Sequence, residues 1–453
     1  MIPYNKITMS NRRNFIKQSA LAAGTFSLAG FIDPVFAAEI KRQSKRISSM
    51  SSAESASDED FWGWIRESYT VSSSIINLNN GGVSPQPKVV QDAHIKYYQM
   101  CNEAPSYYMW RIIDQGREPL RQKLADLAGC SAEELAINRN TTEGLNTIIF
   151  GLNLKAGDEV VLTKYDYPNM INAWKQREKR DKIKLVWVDI PMPCEDETVL
   201  VKAFEKAITA KTKIVHITHI INWTGQLLPA RAIADMAHSK GCEVIVDGAH
   251  TFACLDYKIP DLNCDYFATS LHKWMCAPFG SGLMYVKKEK IKNIWALLSN
   301  DKPDGEDIRK FETLGTRSFA SEMAIANAVD FHNVIGSKRK EERLKFLKAY
   351  WTEKVSKNPK IKFNTPLNPK FAGALANFSI EGWEGADIDS KLFEKYKIHT
   401  VSIKWEAVNG VRVTPNVYTS LKDLDKLVKA IEEIAAMEPP AKKTVDNTAQ
   451  PKK

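Results

Sequence analysis

The chain has 453 residues, 44% hydrophobic and 26% charged, which is the composition of two or three globular domains with a sizeable core. The net charge is +9, but the first 50 residues carry +6 of it, and no basic stripe interleaves with aromatics, which argues against nucleic acid as a partner. No apolar run in the body of the chain is long enough for a membrane span. The seven cysteines form no CxxC pair, so a zinc or thioredoxin-like site is not expected and no disulfide is specified.

In chain order, "SNRRNFIKQ" (Ser10–Gln18) has paired arginines followed by a weakly apolar run and "VFA" (Val35–Ala37). This resembles a bacterial twin-arginine signal over residues 1–37. It implies passage through the twin-arginine export machinery, a route known for folded, cofactor-loaded proteins, and a periplasmic location. Residues 38–60 are rich in Ser, Lys and Glu without an apolar period and are expected to form a polar linker. Residues 438–453 read as a disordered tail for the same reason.

Between these ends, helical stretches such as "REPLRQKLADLAG" and "PARAIADMAHSKG" alternate with short β-branched runs: "DEVVLT", "IKLVWVDI", "TKIVHITH", "CEVIVDGA" and "SGLMYV". Alternation of this kind predicts an α/β fold with a largely parallel sheet flanked by helices over residues 61–315. From Thr316 the texture changes to longer charged helices, short strands and a final amphipathic helix. That predicts a smaller α+β domain over residues 316–437.

Sites in parallel sheets gather at the carboxyl ends of strands. "EVIVDGAH" ends a strand in Asp247, which is either a turn aspartate or a carboxylate that keeps a ring nitrogen protonated. "SLHKW" follows the next strand and places Lys273 26 residues further on. A lysine and an acid at one sheet edge suit pyridoxal 5′-phosphate, whose aldehyde takes the amine and whose ring takes the carboxylate. In "NRNTTEGLNTIIFGL", Thr141 and Thr142 open an apolar-periodic helix. They serve either as a plain cap or as a phosphate cradle.

With "HIINWTGQLLP", "LGTRSF" and "RVTPNVY", these motifs give the chain a resemblance to the aminotransferase class V group of fold-type I pyridoxal phosphate enzymes, from about Leu78 to Met437. "DYPN", "GTRSF" and "RVTPNVYTS" look most like the isopenicillin-N-epimerase-like branch. The resemblance implies that Lys273 is the Schiff-base lysine and Asp247 the pyridinium partner. It implies that His250 and Asn222 lie near the phenolic oxygen, that Ser270, His272, Thr141 and Thr142 hold the phosphate, and that Tyr167 stacks on the ring. Thr316 would reach the phosphate of a neighbouring subunit, which implies a homodimer with a shared site. Arg412 would clamp the substrate carboxylate and Asn80 would line the substrate pocket, while Arg317 is either a surface arginine, the favoured reading, or a contact for a distal acid.

The implied function is chemistry at the Cα of a small amino-acid-like substrate, by an epimerase or aminotransferase. A C–S or C–N lyase and a non-catalytic cofactor-binding relic are the alternatives. A cysteine desulfurase is disfavoured. No cysteine follows Cys276, and a tyrosine stands at 167 where desulfurases have a histidine.

Overall fold

The computed structural model describes Arg42 and residues 50–440. The signal reading over 1–37 and residues 441–453 of the tail lie outside the described residues.

In chain order the strands are β1 (Ile76–Asn77), β2 (Leu135–Asn138), β3 (Glu159–Thr163), β4 (Lys184–Val188), β5 (Thr212–Thr218), β6 (Glu243–Asp247), β7 (Tyr266–Ser270), β8 (Gly282–Val286), β9 (Ile361–Phe363), β10 (Ala376–Ile380), β11 (Ile398–His399), β12 (Val401–Trp405) and β13 (Val408–Val413). The principal helices are α1 (Glu59–Glu67), α2 (Lys88–Glu103), α3 (Arg117–Ala128), α4 (Thr141–Gly151), α5 (Pro168–Asp181), α6 (Glu197–Ala207), α7 (Ala230–Ser239), α8 (Phe319–Ile335), α9 (Ser337–Val355), α10 (Gly385–Tyr396) and α11 (Leu421–Ala436).

The larger sheet has the order β2-β8-β7-β6-β5-β3-β4. The run from β7 to β4 is parallel, β8 is antiparallel to β7, and β2 is antiparallel to β8 and so runs in the direction of β7. This is the fold-type I α/β arrangement that the sequence predicts. Its apolar strands do not alternate with polar residues because both faces are covered. Val244 and Val246 enter one hydrophobic cluster and Ile245 the other, as the two-residue period of a strand requires.

A second sheet, β12-β13-β10-β9, is antiparallel. Its apolar face packs with α9, α10 and α11 around the fully buried Trp351, whose ring meets Phe378 at 5.8 Å. Leu78 joins this core because β1 pairs with β11.

Two boundaries differ from the sequence reading. The smaller core begins at α9, not at residue 316. Thirteen of the seventeen residues of α8 are buried, and α8 packs along α2 within the first cluster. A helix buried nearly all round belongs to a core whatever its distance from the parallel sheet. The polar linker also ends early. Ser51 and Glu54 form a reciprocal capping box on a short helix, Ser52–Ser55, and Asp58 caps α1. Trp62 donates from Nε1 to Ser55 O at 2.7 Å, and Arg343 of α9 pairs with Glu59 at 2.6 Å. The Ser/Glu composition that suggests a linker is here a set of caps.

The turn Asn222–Gln226 connects the two sheets. Ile221 O accepts from Gly225 N at 2.7 Å, and Gly225 has φ +83°. A Cβ there would collide with the Leu375 carbonyl of the approach to β10. Gly225→Ala is expected to lower unfolding stability by about 2 kcal/mol or more, from left-handed backbone strain plus the collision. Urea denaturation of the two proteins checks this.

Candidate active site

β6 and β7 are paired in parallel with Asp247 opposite Ala268, so the turns after both strands emerge at one sheet edge. They line a cavity of about 490 Å³ together with the start of α4, the turn before α5, the turn after β5 and one face of β12–β13. That is a usual size for a small-molecule site.

Lys273 lies in the turn after β7, which Cys276 closes in the left-handed region at φ 56°. A non-glycine residue holds that conformation only where its surroundings impose it. The Lys273 amine faces the cavity, 3.4 Å from His250 Nε2. Burial pulls it down from the ordinary lysine range to about 8, with Asp247 resisting and Arg412 reinforcing. At pH 7 roughly a tenth of the molecules then carry a neutral, nucleophilic amine, against fewer than about one in a thousand for an ordinary lysine.

Asp247 is buried at the end of β6, and Oδ1 accepts from Ala249 N at 2.9 Å. Burial raises its carboxyl above the usual range, and the Ala249 N–H and Lys273 oppose this. His250 is buried as well. Burial, then the Lys273 and Arg412 cations, hold its imidazole well below the usual range, so it is neutral near pH 7.

Also on the cavity, Asn140 caps α4 by accepting from Glu143 N at 2.9 Å. Thr141 N donates to Ser270 Oγ at 2.9 Å, and the two hydroxyls lie 2.8 Å apart. Gly144 lets α4 lie close on the sheet, since a Cβ there would crowd Asn138 and Ala268. His272 is held through Nδ1 on Ser281 O at 3.1 Å, and burial draws it down to about 4. Thr141, Thr142, Ser270 and His272 thus surround a helix N-terminus, which favours an anion by its exposed N–H groups and dipole.

Arg412 reaches in from β13. Nη1 donates to Asn222 O at 3.1 Å and Nη2 to Asn79 Oδ1 at 2.9 Å. Burial lowers it to about 10, so it stays charged at neutral pH. Tyr167 stands at the mouth, 40% exposed, one residue before the proline that opens α5. Asp166 fixes that turn by accepting from Thr163 N at 2.9 Å, and burial raises its carboxyl to about 7.

One expected pocket residue, Asn80, lies elsewhere, and Arg317 and Thr316 also stand outside the cavity. Asn80 does not line the cavity. It is fully buried and its amide is occupied: Nδ2 donates to Thr414 O at 2.8 Å, and Oδ1 accepts from Tyr418 Oη at 2.6 Å. Its neighbours Gly81 and Gly82 line the cavity instead, and Asn79 holds Arg412. Arg317 is neither a surface residue nor open to a ligand. It pairs with Asp114 and Glu322, each at 2.8 Å, over the Phe319 ring at 4.1 Å. Thr316 is exposed and outside this chain's own cavity. Sequence reasoning missed Trp223, Val401 and Ile403, although the alternation in "VSIKW" marks one strand face.

The residues fit pyridoxal 5′-phosphate. The anion cradle, Asp247 and Lys273 line one cavity. Asn222 Oδ1 and His250 Nδ1 are buried with no partner among the described residues, which is costly unless a ligand meets them.

The aminotransferase class-V family model matches residues 76–427. An isopenicillin N epimerase from Amycolatopsis lactamdurans is 26% identical over 393 residues, 83% of this chain and 98% of that protein. A cysteine desulfurase from Haloferax volcanii is 26% identical over 388 residues, 79% and 89% of the two chains. Among solved structures, the apo cysteine desulfurase of Thermococcus onnurineus superposes with a TM-score of 0.73 at 23% identity, over 82% of this chain and 97% of that one.

Uptake of pyridoxal phosphate by the apoprotein should accelerate with pH through a midpoint near 8, because only the neutral amine adds to an aldehyde. Asp247→Asn removes an anion that favours the charged amine, so the midpoint should fall. Arg412→Leu removes a cation that disfavours it, so the midpoint should rise. Stopped-flow absorbance at several pH values checks both signs.

Proposed function

Because the chain belongs to the aminotransferase class V family, we propose that it is a pyridoxal-phosphate-dependent enzyme that moves the Cα proton of a small amino acid, as an epimerase or an aminotransferase. The observation that carries this reading is the depressed Lys273 amine, set in one cavity with Asp247 and Arg412. When bound, pyridoxal phosphate supplies an electron sink that acidifies the Cα–H.

The chain's own residues do the rest. Thr141, Thr142, Ser270 and His272 would hold the phosphate, and Asp247 would keep the ring nitrogen protonated. Asn222 and the neutral His250 would offer hydrogen bonds to the ring's substituents, and Tyr167 would pack against the cofactor. Arg412 orients the substrate carboxylate as a planar fork. Lys273 takes the proton from Cα, a role that suits an amine poised near neutrality; inversion further requires that a proton reach Cα on its opposite face, which one fixed amine does not supply. Persulfide chemistry is disfavoured because no cysteine lines the cavity among the described residues, and none follows Cys276.

Two parts of the proposal extend beyond this cavity. Thr316 is exposed outside it, as a residue donated to a neighbouring copy must be, and this supports a homodimer with shared sites. The paired arginines Arg12 and Arg13 with the apolar run after them support export to the periplasm as a loaded enzyme.

The holoprotein should be yellow, and Lys273→Ala should lose that absorbance and at least about a thousandfold in turnover. Chiral chromatography and a keto-acid assay on the same reaction separate the two outcomes. An inverted Cα without keto acid marks an epimerase, and keto acid marks an aminotransferase. Osmotic-shock fractionation of expressing cells should place the wild type in the periplasm and an Arg12→Lys/Arg13→Lys variant in the cytoplasm.

A further inference from the structure

On the reading that the cavity takes an amino acid, we infer that the substrate's side chain is an uncharged apolar arm, aromatic by preference, that packs on Trp223, Val401 and Ile403. Val401, Ile403 and Trp405 recur at every second position of β12 and therefore share one face. Val401 pairs directly with Arg412 across β12–β13, so the apolar face begins beside the carboxylate clamp. An amino acid held at its carboxylate by Arg412 meets this face with its arm.

The wall is rigid. The Trp223 ring stacks on Trp405 at 5.1 Å and 19°. Trp405 Nε1 is anchored to Lys164 O at 2.8 Å, and Trp223 O accepts from Asn377 Nδ2 at 3.0 Å. Ile403 is buried, while Val401 and Trp223 are half-buried along the cavity.

The charges of the cavity are all committed. Lys273, Asp247, His250, His272 and Arg412 have the cofactor and the carboxylate to serve. Among the described residues no further acidic or basic side chain lines the cavity. Arg317, the nearest sequence candidate for a distal acid, is spent on Asp114 and Glu322. A carboxylate or ammonium arm would lie against the wall without a partner and lose its water. A phenyl ring there gains both apolar burial and ring contact with Trp223.

The test is a visible-spectrum titration of the pyridoxal-phosphate-loaded protein with L-phenylalanine, L-alanine, L-glutamate and L-lysine. Phenylalanine is expected to bind at least about tenfold more tightly than each of the others. Trp223→Ala should bring the phenylalanine-to-alanine ratio towards one. Val401→Arg, at a half-buried position, should turn the preference towards glutamate. A loaded, amino-acid-responsive protein that prefers glutamate or lysine overturns the arm assignment and leaves the enzyme reading standing. So does a ratio that Trp223→Ala leaves unchanged. A protein that takes up no pyridoxal phosphate overturns the enzyme reading, and the arm assignment with it.

Discussion

An amine, a carboxyl and a guanidinium share one sheltered cavity, and no ion pair joins Lys273, Asp247 and Arg412 to one another among the described residues. Burying charges apart is expensive, several kcal/mol for each uncompensated group. That cost shows in Lys273, whose amine is drawn down to about 8, and Asp247 is compensated by one backbone N–H. Asn222 Oδ1 and His250 Nδ1 remain unmet. The site is thus stable only in part by itself, and a ligand with an anion at one end and a protonated ring nitrogen at the other completes it. Binding of such a ligand stabilises the folded state by mass action.

That constraint explains why the cavity lies between two cores. The parallel sheet delivers Asp247, Ser270 and Lys273 through strand ends fixed by register, so their spacing is set by backbone pairing. The second sheet delivers Arg412 from the opposite side. The turn Asn222–Gln226 joins the halves. Arg412 holds its Asn222 carbonyl, Asn377 the Trp223 carbonyl, and Thr365 the Thr224 carbonyl. The carboxylate clamp and the apolar wall are therefore tied to the same turn.

Much of this was legible in the sequence because it follows from local rules. Apolar runs broken by helices gave the parallel sheet, and the turns after two of those runs named Asp247 and Lys273, while Ser270 and His272 came only from the family resemblance. The Thr141–Thr142 pair marked the helix start. What escaped depends on which side chain of a turn faces inward. In "LNNGG" the two asparagines are equivalent by type, yet Asn80 is consumed by Thr414 and Tyr418 while Asn79 meets Arg412. Arg317 was unreadable because its partners, Asp114 and Glu322, lie on other elements of the fold. The boundary at 316 was read from a change of texture, whereas α8 beyond it still packs along α2 in the first core, a contact that local texture does not show. The apolar face of β12 was visible as alternation, but only its pairing with Arg412 shows that it faces the cavity.

The central claim is that Lys273 bonds covalently to pyridoxal phosphate. Borohydride reduction of the reconstituted protein, followed by proteolysis and mass spectrometry, tests it directly. The account predicts the pyridoxyl-phosphate mass on the peptide that carries Lys273, in stoichiometric yield. The mass on another lysine, or on none, would contradict it.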